Sequence, residues 1–239
     1  MTRAAVIAAG IALLVGVLAH ATGAAQRLAP QNAIQLENAQ QGTTAWQARL
    51  GGDIGIYGSQ VNAGPGDAVT FHVSTTNRYR IDIYRLGWYD GDGARLMTCL
   101  PTCESDEQGK LQKPPGPPPA LATDPPIRAN WPVTDTLQTG TDWTSGYYLA
   151  EAVLTSGPDR LRVATTLFVL HETGAIPGSR ILVQVPVNTW QAYNRWGGKS
   201  LYDFFGPRMY HVSFDRPFGD MAQTPFWWEY QLVRFLERE

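Results

Sequence analysis

From Ile34 to Leu170, short runs of alternating apolar and polar side chains are punctuated by Gly, Asp and Pro. Tyr79, Ile81 and Ile83 alternate with Arg80 and Asp82, the period of two that sends successive side chains to opposite faces of a strand. Asp53–Ser59, Ala68–Ser74, Tyr79–Leu86, Gly146–Leu154 and Leu161–Leu170 all read this way, and Asn62–Asp67 and Ser156–Asp159 read as the turns between neighbours. Strand signals spaced by about 8 to 12 residues, with no convincing helix among them, predict an immunoglobulin-like β-sandwich over residues 32–172. Asp90, Gly91, Asp92 and Gly93 have the composition of a calcium or phosphate loop, but between two strands they predict a hairpin turn. Glu104–Arg128 interrupts the pattern with Lys113–Pro119 and Asp124–Pro126, proline density that favours a long exposed loop over a ladder.

After Leu170 the pattern changes. His171–Ser179 reads as a linker, and Ile181, Leu182, Val183 and Val185 then form the continuous apolar run of a strand covered on both faces, stopped by Pro186. A loop follows, crowded with Asn188, Trp190, Tyr193, Asn194, Arg195, Trp196 and Tyr202. Beyond the carboxyl end of a parallel strand is where open α/β sheets bind ligands. Thr224 and Pro225 open a predicted helix running to Glu239, with Trp228, Leu232, Phe235 and Leu236 on one face. One strand and one helix cannot bury both faces of a parallel layer, so residues 173–239 read as the incomplete start of an α/β domain.

The amino terminus changes the expected compartment. Arg3 precedes an apolar stretch to Ala19 and then small residues to Ala25, the pattern of a signal peptide over residues 1–25, with an uncleaved anchor as the competing reading. The expectation is an exported protein, periplasmic or secreted, with no membrane association after cleavage. In that setting the close pair Cys99 and Cys103 predicts a disulfide, because His72, His171 and His211 are too scattered to complete a zinc site with them. A formal charge of −2 and a pI near 6.1, without a Lys/Arg cluster, argue against nucleic acid as partner. The strand is followed by no G-x-S-x-G elbow, His171-Glu172 lacks the second His of H-E-x-x-H, and both cysteines lie in the sandwich region, away from any amidotransferase-like nucleophile position.

Five runs bear a family likeness: Ile34–Gln47, Thr70–Leu96, Asn130–Gln138, Ser145–Thr155 and the stretch VQVPVNTWQAYNRWGGKSLYDFF. They resemble, in order, proteins related to the beta (large) subunit of N,N-dimethylformamidase. The resemblance implies a β-sandwich joined to a flavodoxin-like α/β domain related to class I glutamine amidotransferases. It also implies hydrolysis of a C–N bond in a small amide by an iron held by two tyrosines and a glutamate, and it admits a second subunit or an oligomer. On this sequence it points to Tyr193 as one iron ligand and Tyr230 as the second, with no residue matching the glutamate. Asn188 and Asn194 would orient the amide or a water as catalytic residues. Ferric iron suits phenolate oxygens, and its charge would favour the deprotonated tyrosine. The plainer reading of Tyr193 and Trp190 is packing, and of Asn188 a turn former.

A second function class stands beside this one: a non-catalytic exported sandwich that offers Trp46, Tyr57, Trp88, Tyr89 and Trp143 to a glycan or a protein. Exposure of those rings separates the two.

Overall fold

The structure, a computed structural model, describes residues 31–116, 120–121, 123–174, 181–202, 208–219 and 229–239. The signal-peptide expectation at residues 1–25 lies outside them. The chain is mainly β, with 30% strand and 14% helix in mixed sheets, and residues 31–239 cluster as one compact unit.

The short helix α1 (Ala33–Asn38) starts at a capping box: Asn32 accepts from the Gln35 N–H while the Gln35 side chain accepts from the Asn32 N–H. The larger sheet runs β1 (Arg49–Leu50), β10 (Arg162–Leu170), β9 (Gly146–Leu154), β5 (Arg78–Leu86) and β6 (Ala94–Leu100). β3 (Asn62–Ala63) joins β10, and β7 (Glu107–Gln108) joins β5. β10 pairs parallel with β1 and β3, and antiparallel with β9. The smaller sheet is β2 (Gly55–Gly58), β4 (Ala68–Ser74) and β8 (Asp135–Gln138). β5 turns into β6 through a single 3-10 turn at Tyr89–Gly91, so the acidic glycine-rich run is the predicted hairpin connection.

Period-two alternation decides what each face meets. Ile56, Val69, Phe71, Val73 and Leu137 of the small sheet face Ile81, Ile83, Tyr148, Ala150, Ala152 and Phe168 of the large one in a shared core. Between the sheets Tyr79 donates a hydrogen bond to Asp135 (2.8 Å), satisfying two buried polar groups at once. The outer face of the large sheet is apolar as well. Tyr84, Leu86, Tyr147 and Leu149 lie there and are covered by Val185, Val187, Trp190, Phe218 and Val233 from the carboxyl-terminal segment. That segment therefore forms a third layer.

Two expectations about this segment fail. Ile181–Val185 forms no strand, and Ile181, Leu182 and Val183 are 66%, 94% and 41% exposed. It pairs with no described strand, and its backbone groups are left to solvent. The terminal helix is present as α3 (Tyr230–Arg238; α2 is Val187–Tyr193), but its predicted apolar face is turned outward: Leu232 and Phe235 are 51% and 52% exposed, and Trp228 lies outside the described residues. The docked face is Tyr230, Val233 and Glu237, spaced i, i+3, i+7. Arg85, with no exposed side chain, fixes this rotation by taking the Glu237 carboxylate in a two-pronged pair at 2.9 Å on each prong.

Candidate functional site

The α2 helix and the chain after it occupy the outer face of the large sheet. Trp190 is buried there, and its Nε1 donates to Glu229 at 3.0 Å across to the start of α3. Burial pushes the Glu229 carboxyl up, against the opposing hydrogen bond from Trp190. Between Trp190, Glu229, Tyr230, Val233, Tyr147 and Leu167 lies a cavity of about 10 Å³, room for a single water and not for a substrate.

The predicted site residues separate. Asn194 has no exposed surface and spends its whole amide on the scaffold. Its Nδ2 donates to Gln191 Oε1 (3.1 Å) and the Pro217 carbonyl (3.0 Å), and its Oδ1 accepts from the Trp196 and Gly219 N–H groups (3.0 and 2.9 Å). An amide with all its capacity used orients no substrate, so Asn194 is a positioning residue for this loop. Asn188, in contrast, is exposed on α2. Tyr193, at the end of α2, is 41% exposed and stacks on Tyr202, itself 48% exposed, with centroids 4.5 Å apart.

Tyr230 packs elsewhere. Its ring lies against Trp46 (4.8 Å) and under the Arg234 guanidinium, and its hydroxyl is wedged against Gly93, where φ is +87° and a Cβ would collide with it. Burial pushes this phenol up, although the Arg234 charge opposes the shift. No ring contact joins Tyr193 to Tyr230, and no group of three or more His, Cys, Asp or Glu side chains is placed to hold a metal among the described residues. Tyr193 stacks on Tyr202 and Tyr230 packs on Trp46, so the described ring contacts do not join the two phenols at one site.

Sequence reasoning missed Arg216, which is 1% exposed and donates to three carbonyls: Ser213 (3.0 Å), Trp196 (3.2 Å) and Gln191 (3.1 Å). Burial lowers its guanidinium to about 10. With Asn194 it ties α2 to residues 213–219, and no periodicity in a loop announces such a role. It also missed Glu237, although the alternation that turns Tyr79, Ile81 and Ile83 inward also carries Arg85 inward, where a charge demands a partner.

None of the five rings of the binding-surface reading is fully exposed. Tyr57 and Tyr89 are buried, and Trp46, Trp88 and Trp143 are half-buried, Trp143 stacked flat on Tyr148 at 5.3 Å. The disulfide Cys99–Cys103 is present, closing a short loop at the end of β6.

The model of a family described as N,N-dimethylformamidase beta subunit-like, C-terminal, matches residues 80–239, well over half of the chain. No curated protein matches it. Among solved structures, domain 1 of VCBP3 from Branchiostoma floridae covers 52% of this chain and 97% of its own at 12% identity, with a TM-score of 0.29, too loose a superposition to place the fold.

Proposed function

The chain belongs to the N,N-dimethylformamidase beta subunit-like family, and from that premise we propose that it serves in the hydrolysis of C–N bonds of small amides, in an assembly with a further subunit. The observation that carries this reading is the family match over residues 80–239, which spans the β5-to-α3 region and the whole α2 loop. Asn188 and Tyr193 are the residues we assign to the amide. Both stand exposed on α2, where a carboxamide and a phenol can hydrogen-bond a substrate carbonyl or a water. Asn194 and Arg216 hold that surface in place.

The metal dependence implied by the resemblance has no complete ligand set here, so no step is routed through a metal. The fold reading that goes with the family is an immunoglobulin-type sandwich with an α/β partner layer, and export remains our reading of the amino terminus.

The test is release of free amine from a panel of small N-alkyl amides by the protein isolated together with its bound subunits. Amine release above the spontaneous rate is the expected result. No release from any member of the panel, by an assembly whose subunits are all accounted for, contradicts the proposal.

A further inference from the structure

On the outer face of the small sheet, Ser59 extends the pairing of β2 past its end, its N–H donating to the Thr70 carbonyl at 3.0 Å. That sets Ser59 opposite Thr70 and diagonal to His72, on the same face as Tyr57. Ser59 Oγ and His72 Nε2 are 2.6 Å apart. The other ring nitrogen, Nδ1, is 2.7 Å from the Trp131 carbonyl oxygen. A carbonyl only accepts, so a proton sits on Nδ1, which leaves Nε2 to accept from the Ser59 hydroxyl when the ring is neutral.

The imidazole is held from three sides. Tyr57 stacks on it at 4.3 Å with the planes 5° apart. The Tyr57 hydroxyl in turn accepts from the Trp131 N–H (3.1 Å) and donates to the Trp131 carbonyl (3.4 Å). Trp131 is backed edge-on by Trp196, and the chain just before it is pinned by the Ala129 N–H donating to the Asp215 carbonyl at 2.7 Å. His72 is 8% exposed, while Ser59 is exposed. A buried, tautomer-locked base thus meets a solvent-open hydroxyl, with a backbone carbonyl in the place that an orienting carboxylate takes in an acyl-transfer triad.

We propose that Ser59 is a nucleophile, His72 its general base and the Trp131 carbonyl the orienting group of an esterase site for small carboxylic esters. Ser59 Oγ bonds to the acyl carbon as its proton passes to His72 Nε2. The C–O bond to the alcohol then breaks, and the departing alkoxide takes that proton. Water adds to the acyl-serine next, giving a proton to His72 that returns to Ser59 Oγ as the carboxylic acid leaves. Gln60, next in the chain, is pinned through its Oε1 by the Thr70 N–H (3.0 Å) and hydroxyl (3.4 Å), and the proposal assigns its amide nitrogen as donor to the oxyanion. Ser59 stands at a sheet surface, so the acyl group is presented from solvent, which suits a small activated ester. Ser59, Gln60 and His72 precede residue 80, where the family match begins, whereas Trp131 lies within it; the proposal does not use the α2 reading.

The experiment treats the full chain with a fluorophosphonate probe, maps the adduct by mass spectrometry and follows p-nitrophenyl acetate hydrolysis. We expect a single adduct on Ser59, hydrolysis abolished by Ser59→Ala, and labelling slowed at least about 100-fold by His72→Gln. Because His72 is buried, an internal comparison accompanies that variant: in the unaltered protein Ser59 should label at least about 100-fold faster than Ser105, an exposed serine that shares its hydrogen bond with Thr102 rather than a histidine. Equal labelling of Ser59 and Ser105, or an unchanged rate in folded His72→Gln protein, overturns the proposal.

Discussion

Arg85 has no exposed side-chain surface, and its charge is tolerated because Glu237 pairs with it on two prongs while Tyr89 and the Ser145 carbonyl take further N–H groups. The pair belongs to a chain of contacts. Tyr89 donates to Glu37 (2.7 Å), Arg95 grips the same carboxylate, and Asn38 donates to Glu237 (2.6 Å). Removing Glu237 leaves a buried cation, so Glu237→Ala should cost about 3–5 kcal/mol in denaturant unfolding, whereas the double replacement Arg85→Met with Glu237→Leu should recover most of that loss. The network also gives an acidic limit. Burial alone would raise the Glu37 carboxyl, but the hydrogen bonds from Arg95 and Tyr89 and the nearby Arg85 charge bring it below the ordinary range. Its contribution is present above the unfolded carboxylate's titration and is lost as pH falls through the folded one. Glu151 works in the opposite direction. It is 2% exposed and sits directly across from Asp82 on β5, and burial, then the Asp82 charge, pushes its carboxyl up to about 9. An unfolded Glu releases its proton near pH 4.3 or so. Between those values the folded chain holds the extra proton, so stability should fall as pH rises from about 5 to 9, and Glu151→Gln should flatten that slope in unfolding midpoints taken across the range. A slope that persists in the variant would remove Glu151 as its source. From sequence, Arg85 was legible as an inward charge and its partner was not, because Glu237 lies in a separate element with nothing local to link the two.

At the scale of elements, α3 is the instructive case. Periodicity established a helix there, but hydrophobicity picked the wrong face: the ion pair to Arg85 and the seat of Tyr230 against Gly93 set the rotation, leaving Leu232 and Phe235 in solvent. Val233→Ala should therefore destabilise by about 1–3 kcal/mol, while Leu232→Ser and Phe235→Ser should each stay within about 0.5 kcal/mol. Thermal or denaturant unfolding of the three variants separates the two orientations, since the sequence-based face requires the reverse order. Ile181–Val185 misled for a related reason. A continuous apolar run reads as a buried strand, yet a strand also needs an edge to pair with, and run composition carries no information about edges. β2, β4, β5, β9 and β10 were legible almost to the residue because alternation and turn residues agree there. β6 and β8 were not: β8 is four residues with one apolar side chain, and β6 does not alternate cleanly.

For the molecule as a whole, the carboxyl-terminal segment is a cover on the second face of the large sheet. This explains why Tyr84 and Tyr147, on the face turned away from the shared core, are buried nonetheless. Of the candidate site, Tyr193, Asn188 and Asn194 were named from the sequence, but not their surroundings. That Asn194 is consumed by backbone contacts, and that Tyr193 meets Tyr202 and not Tyr230, follows from loop geometry that no spacing encodes. The Ser59–His72 contact was hidden in the same way, because the two residues meet only once the register of β2 on β4 is fixed. Our proposal puts amide hydrolysis at the exposed surface of α2. The most direct test is the rate of amine release from a small N-alkyl amide by the assembled protein carrying Tyr193→Ala, relative to the unaltered protein. A loss of about 100-fold or more with an unchanged unfolding midpoint is the predicted result, and an unchanged rate would contradict the assignment of the reaction to this surface.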